Sequence, residues 1–348
     1  MKILIITSIE KGGIGGPSLY ADNLPAAFAR HNVEVDVLRP GHFVRLVWSV
    51  SRCDILYSLS GSPKVNIPVT VCAKIFRKKF CIRPGGDFLW ERATERGDTE
   101  KTPREYYKSG EYKKRRFSLI LFRWTLARAD RVIFPTLYLR DLYQEYFFLP
   151  EHKCEYVDYP FPYVGGGSKP RDFTRDKQFV FAGRLIKFKN GERLIRAFAQ
   201  MDNKKGVTLK IIGEGPEKLR LKSLVGELGA EDHIFFADAM NHNAFLSELR
   251  DSYCAVVPSI FEPGSFFMLE CLKLGIPVIF TKASGLYDAY ANKLLFVDPY
   301  SVPDIKEKIK WLLDANNYSN YAKRLADINT QRCWDDVARE HKVIFEKL

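Results

Sequence analysis

No uninterrupted apolar run in this 348-residue chain approaches the roughly 20 residues that span a bilayer. The nearest, FSLILFRWTLA at 117–127, is broken by Arg123, so no membrane-crossing helix is expected. The opening MKILIITSIEKGG has a short apolar run that Glu10 and Lys11 interrupt, too short for a signal peptide, and a cytoplasmic location is expected. Low-complexity tracts and internal repeats are absent. With 46% hydrophobic and 28% charged residues the chain is globular, and its length suits about two domains. The seven cysteines (53, 72, 81, 154, 254, 271, 333) are odd in number and never form the close pair of a zinc site. The six histidines are equally dispersed. Both sets are read as structural, the cysteines as reduced thiols and the histidines as surface imidazoles. Missing as well are the Gly-x-Gly-x-x-Gly dinucleotide fingerprint and a phosphate-loop Lys-Ser/Thr pair, which disfavours plain NAD or ATP binding.

Charge of one sign is in excess. The net charge of +12 lies mainly in the first half, where 26 Lys and Arg face 18 Asp and Glu through residue 165. Its densest parts are KIFRKKF (74–80) and EYKKRRFSLILFRWTLARADR (111–131), the second a basic cluster leading into a helix-compatible apolar stretch. That pattern suits an anionic membrane surface or an acidic substrate; a solvated basic helix face is the plainer alternative.

Strand, glycine loop, helix and strand open the chain as KILIIT, SIEKGGIGGPS, LYADNLPAAFARHN and VEVDVL, the start of a parallel α/β sheet. Strands are expected at 54–59, 78–84 and 131–136. Around 158–177 proline, glycine and charge displace the periodic apolar residues, as in an interdomain linker. The alternation then restarts with QFVFAG, TLKIIG, HIFFAD, CAVVPS and IPVIFT, with helices between. We expect two doubly wound Rossmann-like domains, 1–165 and 166–330, facing each other across a cleft.

In open α/β sheets ligands bind at the carboxyl ends of strands, so the loops after strands carry the candidates. Gly12, Gly13, Gly15 and Gly16 allow close backbone approach to a ligand or make a tight turn. GRLIKFKN offers Arg184 with Lys187 or Lys189, cations suited to a diphosphate. In FEPGSFFMLECLKLG, Ser265 is a good helix N-cap after the Pro263-Gly264 break, and Gly275 stops the helix. Its amide end suits an anion. Glu270 lies one turn into that nearly all-apolar helix and needs hydrogen-bond donors, from a structural partner or from ligand hydroxyls. Glu262, in the preceding loop, is expected to face the cleft.

Four segments in this order, GGPSLYADNLPAAFARHNVEVDVL, FVFAGRLIKFKNGERLIRAF, LKIIGEGPEKLRLKSL and FEPGSFFMLECLKLGIPVI, resemble the retaining glycosyltransferases of family 4 over nearly the whole chain. The resemblance implies the GT-B fold, with helix 331–348 packing back on the first domain. It implies that Arg184 and Lys189 hold the donor diphosphate, Glu262 orients the transferred sugar and Glu270 binds the ribose hydroxyls. Gly264, Ser265 and Phe266 would hold sugar or phosphate oxygens, Gly16 would approach the diphosphate, and Gly183 and Gly213 would line the donor loops. The base would lie by Ala239 and Met240. Three departures stand out: Gly264-Ser265 where the family has Phe-Gly, Asn190 for a usual glycine, and RPGGDF where a histidine is common. In that last segment Arg83, Gly86 and Asp87 are the acceptor-side candidates.

The implied activity is metal-independent transfer of a sugar, with retention, from a nucleotide-diphosphate donor to an acceptor hydroxyl. It needs no cofactor beyond the donor substrate. The basic first domain points to a sugar or lipid-linked acceptor near an anionic membrane face, in polysaccharide or glycolipid assembly. Two alternatives are a sugar-nucleotide epimerase of similar fold, disfavoured by the Arg, Lys and paired Glu set, and a nucleic-acid binder, disfavoured by the lack of a recognition module.

Overall fold

Short, apolar, β-branched runs such as KILII and CAVV can be covered on both faces only inside a parallel sheet flanked by helices, and that is where the chain puts them. The computed structural model describes residues 1–10, 16–40, 43–163, 177–201 and 206–348. The chain forms two compact units, a first of Met1–Pro160 with Arg332–Leu348 and a second of Phe161–Gln331. The domain boundary expected at 165/166 lies outside the described residues.

In the first unit the strands are β1 (Lys2–Ile6), β2 (Glu34–Leu38), β3 (Ile55–Ser58), β4 (Lys79–Ile82), β5 (Arg131–Phe134) and β6 (Cys154–Tyr156). They pair in parallel in the order β2-β1-β3-β4-β5-β6, with Ile3 beside Ile55 and Ile55 beside Lys79. Its helices are α1 (Gly16–Arg30), α2 (Phe43–Ser51), α3 (Pro63–Ile75), α4 (Phe88–Arg96), α5 (Pro103–Lys108), α6 (Arg116–Arg128) and α7 (Leu137–Phe147).

The second unit has β7 (Lys177–Ala182), β8 (Val207–Ile212), β9 (Ile234–Ala237), β10 (Cys254–Val257), β11 (Val278–Thr281) and β12 (Leu295–Val297). Here the order is β12-β11-β10-β7-β8-β9. Around this sheet run α8 (Gly191–Ala199), α9 (Lys218–Glu227), α10 (His242–Arg250), α11 (Phe266–Lys273), α12 (Tyr287–Tyr290), α13 (Val302–Leu313) and α14 (Ala315–Ala326). Both sheets are doubly wound.

A last helix, α15 (Trp334–Glu346), belongs to the first unit and packs on α1. Trp334 meets Tyr20 edge to face at 4.9 Å, and Arg30 pairs with Asp335 at 2.7 Å. One reading of the sequence is corrected here. His341 is not a surface imidazole: it is fully buried, 2.7 Å from the Tyr57 hydroxyl and 2.7 Å from the Val337 carbonyl, and burial pushes it down to about 3. Five of the seven free cysteines are buried, Cys154 is half-buried and Cys333 exposed. Among the described residues no helix is long and apolar enough to cross a membrane, and no group of three His, Cys, Asp or Glu could hold a metal ion.

Candidate active site

In the second sheet the chain leaves the central strand β7 for β8 on one side and later returns to β10 on the other. This is the topological switch point, where the loops after two neighbouring parallel strands diverge and leave a crevice. The loops are 183–190, after β7, and 258–265, after β10. They are tied together: the Ile260 amide donates to the Phe188 carbonyl at 2.8 Å, and the Asn190 side chain donates to the carbonyls of Pro258 at 2.8 Å and Pro299 at 2.7 Å. Asn190 has φ 62°, the left-handed region that glycine and then asparagine tolerate best. Asparagine therefore serves as well as the glycine of the resemblance and adds three side-chain hydrogen bonds, the third accepted from Arg193 at 3.0 Å.

Between these loops Lys189 Nζ donates to Glu262 Oε1 at 2.5 Å, and Ser259 Oγ donates to the same oxygen at 2.6 Å. Glu262 is 2% exposed and held by its backbone to Ala283 and Gly285. Lys187 points into solvent, which leaves Lys189 as the loop's inward cation. Arg184 is exposed and forms no ion pair with a described residue. The loop thus offers one cation neutralised by a buried carboxylate and one available to an anion.

Gly183 and Gly213 both have φ 146°. A Cβ on Gly213 would stand 1.9 Å from the Gly183 carbonyl oxygen, so the close approach of the loops after β7 and β8 requires glycine there. A Cβ on Gly183 would meet nothing described within 4 Å, which leaves open space beside its backbone.

Ser265 is the N-cap of α11, accepting from the Met268 amide at 3.2 Å, and Gly275, at φ 67°, lies just beyond the helix end. The sequence placed both. Gly264, Ser265 and Phe266 form the turn into the helix, whose positive end faces the switch point. Glu270 follows one turn on, 4% exposed, and burial pushes its carboxyl up to about 8. Facing it is a residue that the sequence reading passed over. His242 Nε2, on the first residue of α10, lies 3.4 Å from Glu270 Oε1. The only signal for it was its place two residues past Met240 in the loop after β9. Burial lowers His242 while it raises Glu270, although a protonated His242 would pull the carboxyl the other way. Both shifts disfavour the ion pair. Ala239 is exposed and Met240 half-buried in the same loop.

The first-unit candidates fare differently. Gly16 is the first residue of α1, and the loop before it, with Gly12, Gly13 and Gly15, lies outside the described residues. Asp87 is 1% exposed and spends its carboxylate as the N-cap of α4, accepting from the Trp90 amide at 2.7 Å and the Tyr107 hydroxyl at 2.7 and 2.9 Å. Burial still lifts it to about 6. Arg83 is 4% exposed, donates to the Tyr20 hydroxyl at 2.7 Å and lies 3.8 Å above that ring. Their side chains are thus committed to buried structural contacts, and Gly86 is the half-exposed member of the three.

Residues 168–331 match the family model described as glycosyl transferases group 1. An uncharacterized glycosyltransferase of Methanocaldococcus jannaschii, MJ1059, is 28% identical over 81% of this chain and 65% of its own. The 4-alpha-N-acetylgalactosaminyltransferase of Campylobacter jejuni that acts on N-acetylgalactosamine-N,N'-diacetylbacillosaminyl-diphospho-undecaprenol is 29% identical over 54% of this chain and 53% of its own. The chain spans about half the length of the curated relatives it matches. Anabaena HepE, solved in complex with UDP-glucose, superposes with a TM-score of 0.78 at 16% identity, covering 100% of both chains. The chain has the GT-B fold of two Rossmann-like domains, and the similarity of residues 168–331 to glycosyl transferases group 1 supports a glycosyltransferase.

Proposed function

We propose that the protein is a retaining glycosyltransferase of family 4 that transfers a hexosyl group from a nucleotide-diphosphate sugar to an acceptor hydroxyl. The observation that carries this reading is the convergence, at one switch point, of an exposed arginine, a lysine paired with a buried carboxylate, and an N-capped helix bearing a buried glutamate.

Each group then has a task. The donor diphosphate lies against Arg184 and the amide end of α11 and draws Lys189 toward itself. This frees Glu262 to accept from a sugar hydroxyl. As the glycosidic bond lengthens, negative charge grows on the leaving phosphate, and cations already in place stabilise it without reorganisation. Glu270 accepts from the ribose hydroxyls, and Ala239 and Met240 flank the base. Gly183 and Gly213 let the donor approach the loop backbone, and Gly16 does so from the first unit. Protein cations carry the charge in this scheme, so turnover should survive EDTA. The decisive experiment is calorimetric titration with UDP, GDP and ADP, followed by a screen of sugars on the nucleotide that binds. Failure of all three to bind would reject the reading.

The acceptor is proposed to be lipid-linked, with the protein docking peripherally on an anionic cytoplasmic membrane face. Phe117 and Ile120 on α6 are 75% and 62% exposed, and Ile75 on the adjoining α3 is 68% exposed. Exposed Lys113, Lys114, Arg115 and Arg116 precede them. Apolar side chains rimmed by cations fit a surface of acidic headgroups. Flotation with phosphatidylglycerol vesicles should carry the protein up the gradient, and Phe117→Ser with Ile120→Ser should abolish this. Protein left at the bottom argues for a soluble acceptor.

A further inference from the structure

We propose that His242 is a positioning residue of the nucleoside site, holding the Glu270 carboxyl in place so that the pair together recognises the 2′,3′-diol of a ribonucleotide. The inference rests on the reading of Glu270 as a ribose ligand and adds the residue that makes such a ligand usable.

A glutamate inside an apolar helix has little to fix its three side-chain torsions and no water to solvate it. Glu270 has one ionisable neighbour among the described residues, and it is His242 at 3.4 Å. The imidazole is fixed from the other side. His242 opens α10, whose N-cap is Asn241, its oxygen accepting from the Ala244 amide at 2.9 Å. The ring lies 6.5 Å from that of Phe245, which in turn lies 5.9 Å from Phe267 on α11. The two helices thus meet through Phe245 and Phe267, with the His242 imidazole beside the Glu270 carboxyl.

Accessibility then assigns the two groups their parts. The Glu270 side chain is 5% exposed and that of His242 40% exposed, so a ligand that reaches the carboxyl passes the imidazole. A vicinal diol fits such a pair, because it offers two O–H donors to a carboxylate and two oxygens to a ring N–H. Neither group alone can fulfil both requirements at this depth.

The test measures ribo-, 2′-deoxy- and 2′,3′-dideoxynucleoside diphosphates on the intact chain, using the base that the wild type binds best. Wild type should prefer the ribose form, and His242→Ala should shrink that preference by about tenfold while leaving the affinity for the dideoxy form within about twofold. His242→Gln, whose amide keeps an N–H donor at similar reach, should recover most of the preference. Equal weakening of all three ligands, or full preference retained in His242→Ala, overturns the proposal. If the wild type binds nucleotides but ignores the diol, the ribose role of Glu270 falls and the proposal with it. If the wild type binds no nucleotide at all, the donor reading itself falls, a result distinguishable from the others.

Discussion

Glu270→Gln should stabilise the empty protein while impairing it as a nucleotide binder. The carboxyl titrates near 4.5 when unfolded and at about 8 in its buried position in α11. Between those values the folded chain keeps a proton that the unfolded chain has lost, so stability falls as pH rises through the window and the loss is complete above about 8. At roughly 1.4 kcal/mol per unit, the cost reaches about 3 kcal/mol at pH 7. A glutamine has nearly the shape of the neutral acid and does not titrate. The stability difference between variant and wild type should therefore widen by about 4 kcal/mol from pH 5 to pH 8, a relative shift on the order of 10 °C in melting temperature for a unit of this size. Scanning calorimetry at several pH values resolves the transition of the second unit, and subtracting the two proteins cancels every other titrating group. In the same variant, nucleoside diphosphate affinity should drop by roughly 10- to 100-fold, because a carboxylate that accepts from two hydroxyls is replaced by a group with a single acceptor oxygen. Binding to wild type should release a fraction of a proton near pH 7, visible as a dependence of the calorimetric heat on buffer. A pH-independent stability difference would refute the buried-acid argument. Unchanged affinity would refute the ribose contact.

Four other substitutions separate chemistry from architecture. Arg184→Ala should lower kcat by about two orders of magnitude with a much smaller effect on donor Kd, since the exposed guanidinium matters most to the charge of the transition state; equal losses confined to binding would count against that role. Lys189→Met leaves Glu262 buried without its cation and should destabilise the second unit by about 3 kcal/mol, and adding Glu262→Gln should restore much of the denaturation midpoint but none of the turnover. Gly213→Ala should abolish soluble expression or lower the melting temperature by 10 °C or more, as order of magnitude, because its Cβ would meet the Gly183 carbonyl at 1.9 Å at a φ of 146°. A well-folded Gly213→Ala protein would mean that the two loops can separate.

Where the apolar pattern is strong, the sequence sufficed for the fold. CAVV, VIFT and KILII are buried over most of their length, and their flanking glycines, prolines and caps mark where each strand ends. The strands that escaped notice are β6 and β12, each three residues long at a sheet edge. An edge strand is paired on one side only, so its residues need neither a long apolar run nor strict alternation, and CEY carries no signal above that of a loop.

The site divides along a similar line, between what spacing along the chain fixes and what only strand order brings together. Ser265 as a cap and Glu270 one turn on are consequences of helix geometry, and both were legible. The Lys189 to Glu262 pair joins residues 73 apart, and it forms only because β10 lies beside β7 rather than beside β9. His242 meets Glu270 for the same reason, through α10 and α11 packed side by side, and no local pattern announces it. Arg83 and Asp87 illustrate the opposite case, where the structure shows contacts that the sequence does not. Charged residues in a glycine-rich loop after a strand look available for chemistry, yet Asp87 is a helix cap with a tyrosine hydroxyl on its carboxylate and Arg83 lies over a tyrosine ring. A buried charge engaged by partners within the protein has less capacity left for a substrate, although Arg83 Nε has no hydrogen-bond partner among the described residues. Arg184, exposed and without an ion pair to any described residue, retains that capacity beside a lysine paired with Glu262. The expectation of function is therefore best supported in the second unit, where an anion would complete the electrostatics.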